Sequence, residues 1–307
     1  MRAGFNLNAD PRDPKRRLGT KPMTDFITAN EPTIRLSVFA GLLLLIALWE
    51  AAAPRRKREF SRWRRWPSNF GIVAFNTVAV RLIFPTAAVG AALIAGERGW
   101  GLFNLIDAPA WLTLLGSVLI LDFLIYLQHV MFHAVPLLWR LHRMHHADLD
   151  FDVTTGARFH PIEIVLSMGI KLVAVAVIGA PAVAVIIFEV LLNGTAMFNH
   201  GNMRINGSID RILRLIVVTP DMHRVHHSAA ADETNSNFGF NLPWWDRIFG
   251  TYLAQPAAGH EAMAIGLGDF REAKQLRLDW LLIQPFLKAG GGYSINRRRG
   301  ESEGGAQ

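Results

Sequence analysis

The chain has 307 residues, of which 51% are hydrophobic and 19% are charged, a balance that argues against an ordinary soluble protein. It contains no cysteine, so disulfides, thiolate metal sites and iron–sulfur clusters are excluded. The net charge of +7 lies largely in short runs beside apolar segments. Basic residues next to a membrane explain it more simply than nucleic-acid binding does.

The N-terminal region is polar and basic, and it lacks the apolar core of a cleavable signal peptide. We predict disorder over residues 1–26, with either Met1 or Met23 as the true start of the protein. The apolar segment from Thr33 to Ala53 then predicts a first membrane span, because a helix needs about 20 residues to cross a bilayer.

The segment RRKREFSRWRRW, residues 55–66, carries seven basic residues and two tryptophans. By the positive-inside rule it lies at the cytoplasmic boundary of the membrane. The next apolar run, residues 70–96, is interrupted by Arg81 and Pro85 and is long for one straight span, so part of it is expected along the interface. A further span, from Ala110 to about Val130, returns to the cytoplasmic side.

A last apolar segment extends from Ile162 to about Phe198 and is interrupted by the sequence Gly179-Ala180-Pro181. Glycine and proline together stop or turn a helix. The two arms of roughly 17 residues each would reach only about 25 Å. The sequence therefore predicts a short helical hairpin whose two ends lie on the same, cytoplasmic, face.

The predicted fold is an all-α integral membrane helical bundle with about three spans, a helical hairpin and a cytoplasmic histidine-rich cap. We divide it into a disordered basic N-terminus (1–26), an N-terminal transmembrane region (27–110), a catalytic domain (111–255) and a C-terminal cytoplasmic cap and tail (256–307). The expected location is the bacterial inner membrane, with the histidines on the cytoplasmic side.

Ten of the eleven histidines lie between positions 129 and 227. They form an HxxxH pair, two HxxHH triads and two single residues, and the members of each set lie on one face if the segment is helical. The candidate metal ligands are His129, His133, His142, His145, His146, His160, His200, His223, His226 and His227.

So many imidazoles exceed what one ion can hold, since structural zinc takes four ligands and catalytic zinc about three. The count indicates two metal ions, and imidazole suits iron, copper, zinc or nickel. Asp122 and Tyr126 lie on the helical stripe of His129 and are the candidate catalytic residues. A carboxylate inside a span is costly, so Asp122 is expected to support a ligand histidine, or else to cap a helix or pair with another polar group.

Several nearby residues have simpler interpretations. His260 lies in a polar loop and is predicted to be exposed, and Asp246 with Arg247 could form a surface ion pair. Trp139, Trp244 and Trp245 are expected to anchor the chain at the membrane interface.

These motifs resemble the fatty acid hydroxylase and sterol desaturase superfamily of membrane-bound di-iron proteins. The matching segments are DFLIYLQHVMFH, PLLWRLHRMHH, DVTTGARFHPIE, NHGN, TPDMHRVHHS and NFGFNLPWWDRIFGTY, which cover residues from about 120 to 252. Val130 and Ala147 stand where many members have arginine and serine. Neither departure removes a ligand, so they bear on the subgroup and not on the metal site.

The resemblance implies two non-haem iron ions held by the HxxxH pair and both triads, with His200 as an extra ligand. It also implies O2-dependent hydroxylation or desaturation of a lipid C–H bond, with a sterol-like, fatty acyl or sphingoid substrate among those open. The two electrons of each turnover would come from an external donor, a ferredoxin or a cytochrome with its reductase, because the chain lacks a dinucleotide-binding fingerprint and a haem-attachment motif. The basic residues Arg55–Arg65 and Arg297–Arg299 could dock an acidic partner or contact lipid headgroups.

Two other classes of function compete with this interpretation. A membrane zinc hydrolase or protease would need HExxH, and both triads lack its glutamate. A metal transporter or metal-binding membrane protein would carry its ligands near the middle of its spans, whereas these histidines lie beyond the predicted span ends.

Overall fold

The computed structural model describes residues 21–84, 86–290, 292–293 and 295, and in this part of the chain the regular elements are helices, with no β-strand. The long helices are α1 (Lys21–Ala29), α2 (Glu31–Ala52), α3 (Arg62–Ile83), α4 (Ala87–Arg98), α6 (Ala110–Ala134), α7 (Pro136–His146), α8 (Pro161–Ile178) and α9 (Ala182–Asn199). The short helices are α5 (Leu102–Leu105), α10 (Gly207–Leu213), α11 (Pro220–His226), α12 (Ala231–Thr234), α13 (Trp244–Ile248), α14 (Gly259–Ala262) and α15 (Leu278–Ile283), with 3-10 turns at Thr155–Ala157, Ala273–Leu276 and Gln284–Phe286.

Five stretches of this structure are long and apolar enough to cross a membrane: α2, the segment Arg62–Leu105, α6, α8 and α9. Their outward surfaces carry large apolar side chains, for example Leu82, which is 79% exposed, and Val173, which is 65% exposed. Between the helices the buried core is built partly from small residues such as Ala88 and Ala92. Small residues let helices approach closely where lipid surrounds them, so the structure confirms the predicted all-α membrane bundle.

The predicted hairpin is present, because α8 ends at Ile178 and α9 begins at Ala182. Gly179 adopts a left-handed backbone conformation with φ +68°, which an L side chain rarely takes. The two outer ends of the hairpin meet at the histidines. His145 contacts both the Arg158 carbonyl, just before α8, and the His200 ring, just after α9.

The loop between α7 and α8 is fastened to the first two spans by buried ionic groups. Arg65 on α3 contacts Asp148 at 2.6 Å and Asp152 at 2.5 Å, and all three side chains are fully buried. Although burial alone would raise it, the charges of Arg65 and Arg158 hold the pKa of Asp148 at about 2. The loop is therefore held by charge pairing in the interior.

A second fastening comes from Glu50 near the end of α2. Its Oε1 accepts hydrogen bonds from the backbone N–H groups of Val153 and Asn202, at 2.7 and 2.8 Å. Val153 precedes the hairpin and Asn202 follows it, so one carboxylate holds both ends of the hairpin beside the first span. Arg62 on α3 completes the contact by donating to Glu50 Oε2.

One sequence expectation differs from the structure, and another becomes more specific. The predicted disorder over residues 1–26 does not extend to residues 21–26, which belong to α1, where Pro22 occupies the first turn that suits proline. Residues 1–20 and the basic Arg297–Arg299 lie outside the described residues. The long run 70–96 is divided between α3 and α4, which end and begin on either side of residues 84–86.

The turn of the hairpin makes a direct prediction for Gly179→Val. The added side chain would require a left-handed conformation, and its Cβ would lie 2.8 Å from the Trp100 carbonyl oxygen. We expect a destabilisation of at least about 1–2 kcal/mol, seen as a lower unfolding temperature in detergent. The matched control is Gly169→Ala, whose Cβ meets nothing within 4 Å. An equal loss in both variants would contradict the role of the turn.

Candidate metal centre

Nine histidines converge on two adjacent groups in which one nitrogen of each ring lies within 4.8 Å of the others in its group. The first group is His129, His133, His142, His146 and His226, and the second is His145, His200, His223 and His227. All nine side chains are between 0 and 3% exposed. The groups adjoin, since the stacked rings of His146 and His227 have centroids 4.6 Å apart.

Helix geometry explains how the histidines are shared between the groups. His129 and His133 are four residues apart on α6, so they lie on one face and belong to the first group. Within each triad the two adjacent histidines point in directions about 100° apart. Each triad therefore supplies both groups, and the expectation that its three members converge on one point is wrong.

The outer nitrogens of four rings, two in each group, face backbone carbonyls, which can only accept hydrogen bonds. His129 Nδ1 donates to the Phe238 carbonyl at 2.7 Å, and His226 Nδ1 donates to the Ser236 carbonyl at 2.7 Å. In the second group, the Nδ1 atoms of His145 and His200 face the carbonyls of Arg158 and Ala196. A carbonyl oxygen cannot donate, so in each neutral ring the proton is on Nδ1 and the Nε2 atom carries a lone pair.

The inner nitrogens then face one another without a proton between them. His129 Nε2 lies 3.0 Å from His226 Nε2, and His200 Nε2 lies 3.2 Å from His145 Nε2. Burial lowers the pKa of His142 and of His200 to about 3, so the rings stay neutral near pH 7. Converging buried lone pairs are unfavourable without a cation, and the donor set fits two metal ions with nitrogen ligands.

Sequence reasoning did not identify two residues that contact the outer nitrogens of histidines in the first group. Glu163 Oε1 lies 2.7 Å from His142 Nδ1, and Asn235 Oδ1 lies 3.1 Å from His133 Nδ1. Glu163 stands in the first turn of α8, and a carboxylate at the start of an apolar run is a sequence signal that could have identified it. Asn235 has no comparable signal, since it lies in a polar loop about a hundred residues from its partner.

His160, one of the ten candidate ligands, lies in neither group. It is the N-cap of α8, where its Nδ1 accepts from the Ile162 N–H at 3.2 Å. Its Nε2 faces the Leu282 carbonyl at 3.1 Å. We therefore leave His160 out of the proposed ligand set.

Asp122 and Tyr126 lie beside the first group but contact other residues. Asp122 Oδ2 accepts a hydrogen bond from Trp245 Nε1 at 2.7 Å, so the partner of this carboxylate oxygen is a tryptophan and not a histidine. The Tyr126 hydroxyl lies 3.1 Å from Thr251 Oγ1. The catalytic role of both residues stays a prediction.

The expected surface ion pair of Asp246 with Arg247 is wrong, because Asp246 is fully buried. It accepts from the N–H groups of Phe238 and Gly239 and from Thr251 Oγ1. It thereby fixes the loop whose Phe238 carbonyl holds His129. His260 is likewise buried, 3.6 Å from Asp221, and not exposed as its polar loop suggests.

Comparison with known proteins supports the site. Residues 114–251 match the fatty acid hydroxylase family, which confirms the resemblance and lies within the predicted catalytic domain. Ornithine lipid hydroxylase OlsE of Rhizobium tropici is 32% identical over 148 residues, 48% of this chain and 43% of that protein. Alkylglycerol monooxygenase of Xenopus tropicalis is 32% identical over 164 residues, 51% of this chain and 34% of that protein, and the Homo sapiens protein is 30% identical over a similar span. The chain thus spans less than half the length of these relatives, and no solved structure matches it.

The grouping predicts which histidines carry metal. His200→Ala should lower the metal content of the purified protein, because His200 Nε2 faces three other rings of the second group. His160→Ala should keep the full metal content, since this ring caps a helix. Elemental analysis by mass spectrometry measures both. Loss of metal from His160→Ala with full retention in His200→Ala would contradict the assignment.

Glu163→Leu should weaken metal binding by about 10–100-fold, as expected when the outer partner of a ligand histidine is removed. Glu163→Gln is the matched variant, because its amide oxygen can still accept the hydrogen bond from His142. We expect the glutamine variant to retain most of the affinity in a chelator competition assay. Equal affinities in both variants and the native protein would show that Glu163 does not support the ligand.

Proposed function

We propose that this chain, whose residues 114–251 form a fatty acid hydroxylase domain, is a membrane-bound di-iron monooxygenase that hydroxylates a C–H bond of a membrane lipid. It would use O2 and two electrons from an external donor. The observation that carries the proposal is the convergence of nine buried imidazoles on two adjacent groups. Iron bound there would supply the redox chemistry with O2 that a C–H bond demands and that zinc lacks.

The protein residues around the histidines suit an apolar substrate. Phe159 stacks on His145 with centroids 4.4 Å apart and an interplanar angle of 14°. Phe240 lies 5.1 Å from His129 and 6.1 Å from His223, and so touches one ring of each group. Both phenylalanines are partly exposed, while the histidines are buried. These rings would exclude water and present an apolar wall to a lipid chain.

The position of the site along the helices favours attack near the polar end of a lipid. The groups lie where α6 ends, where α8 begins and where α9 ends, so they are at one end of all three helices. Lipid headgroups occupy this level of a bilayer. The names of the relatives, a lipid hydroxylase and an alkylglycerol monooxygenase, favour hydroxylation of a polar lipid over desaturation.

The same geometry supports a cytoplasmic site in a bacterial inner membrane. The basic loop between α2 and α3 is on the side of the histidines, because Arg55 pairs with Asp221 and Arg65 pairs with Asp148. Basic loops are retained in the cytoplasm by the positive-inside rule. The metal groups would therefore face the compartment that supplies reducing equivalents.

Lipid analysis tests the proposal directly. Cells expressing the native protein under 18O2 should contain a lipid with one added 18O atom, and cells expressing His145→Ala, His146→Ala should lack it. His260→Ala is the matched control, since it removes a buried histidine outside both groups. Purified native protein should contain about two iron ions. Tightly bound zinc with no oxygen uptake, or an unchanged lipid profile, would refute the proposal.

A further inference from the structure

The nine histidines are buried within the protein, so electrons from a soluble donor must cross the surrounding protein to reach them. Each hydroxylation inserts one oxygen atom of O2 into a C–H bond and releases the other as water, which consumes two electrons and two protons. The rate of electron transfer falls steeply with distance. A partner must therefore dock where the protein between its own redox centre and the histidines is thinnest.

One pair of aromatic rings leads from the first group to the surface of the cap. The indole of Trp139 has its centroid 4.8 Å from that of His133 and 5.3 Å from that of His146. It is 7% exposed. Tyr293 stacks on its other side, with centroids 6.0 Å apart and an interplanar angle of 21°, and is itself partly exposed. Two short ring contacts thus separate a ligand histidine from the protein surface.

Hydrogen bonds hold Tyr293 in this position. Its hydroxyl donates to the Ala229 carbonyl at 2.8 Å and accepts from the Gly268 N–H at 2.9 Å. Its carbonyl accepts from Asn235 Nδ2 at 2.7 Å, and the Oδ1 of the same amide faces His133. Asn235 therefore gives a second, hydrogen-bonded connection between Tyr293 and the first group.

Three basic side chains are exposed around this pair, with one partly exposed carboxylate, Asp269, beside Gly290. Arg140 is exposed and follows Trp139 in the chain. Lys288 is exposed and follows Leu287, which packs against the Trp139 cluster, formed by Trp139, Ala147, Leu267 and Phe270. Arg271 is also exposed and donates to the Leu267 carbonyl in that cluster. We define the Trp139 face as Arg140, Arg271, Lys288 and Tyr293. Its charge complements an acidic protein.

Resting on the proposed function, we propose that an acidic, soluble one-electron carrier protein docks on the Trp139 face, and that its electrons reach the first histidine group through Tyr293 and Trp139. Two docking events, each oxidising one reduced carrier, supply one turnover. The basic loop between α2 and α3 is a poorer candidate. It lies beside Trp63, which is 88% exposed as an interfacial anchor would be, and lipid headgroups compete for its charge.

Electron uptake tests the route without measuring lipid oxidation. Reduced [2Fe–2S] ferredoxin of acidic surface is mixed without oxygen with the full, iron-loaded protein in lipid nanodiscs, and ferredoxin oxidation is followed by stopped-flow absorbance. Trp139→Leu should slow the transfer by about an order of magnitude, and Trp139→Phe should slow it less. Both variants should retain iron and accept electrons from dithionite at the native rate. A misfolded site would lose iron or react abnormally with dithionite, so these two measurements distinguish a lost electron route from a lost site.

Docking is tested separately by binding. Lys288→Glu with Arg140→Gln should weaken ferredoxin binding by about tenfold at low salt, with the difference shrinking at high salt. Lys57→Glu, in the basic loop between α2 and α3, is the matched control and should bind normally. Weakening by Lys57→Glu alone, or an unchanged transfer rate in Trp139→Leu with full iron, would overturn the proposal. In that case, lipid hydroxylation driven by a chemical reductant would still support the proposed function. If no donor, protein or chemical, sustained lipid hydroxylation, the proposed function would be refuted whatever the electron-uptake result.

Discussion

The structure depends on one constraint: neutral imidazole rings face one another inside the protein with their nitrogen lone pairs converging. Carbonyls at Phe238, Arg158, Ala196 and Ser236 fix the outer protons of four rings and so fix the direction of the inner lone pairs. Such an arrangement is unfavourable without a cation and favourable with one. Much of the surrounding polar structure serves to hold these carbonyls in place.

The loop that follows the second triad illustrates this support. Asp246 accepts two backbone N–H groups and the Thr251 hydroxyl, and Thr251 also contacts Tyr126 on α6. A buried carboxylate with several donors organises a turn that otherwise lacks regular secondary structure. The segment from Asn237 to Tyr252 therefore acts on the metal groups through the Phe238 carbonyl, without itself supplying a ligand.

The sequence predicts the parts of this architecture that depend on local chemistry. Hydropathy identifies the spans, and the Gly179 to Pro181 break identifies the hairpin, because turn residues act within a few positions of themselves. Histidine spacing identifies the ligand types. Spacing along a helix separates the directions of the adjacent histidines in each triad, but which other histidines each of them meets depends on how α6, α7, α9 and α11 pack together. The burial of Asp246 and His260 likewise depends on contacts with distant segments that a polar local sequence conceals.

The arrangement of aromatic rings gives the two sides of the site different properties. On the side where α6 and α9 end, Phe240 presents an apolar and partly exposed ring to the histidines. Beside His133, Trp139 and Tyr293 lead to a surface with exposed basic side chains. An apolar substrate and a charged protein partner need surfaces of opposite character, and one open cleft could not provide both while excluding water. In the proposed function, burial of the histidine groups between the two surfaces would let each reactant approach from its own solvent, the lipid from the bilayer and the electron donor from water.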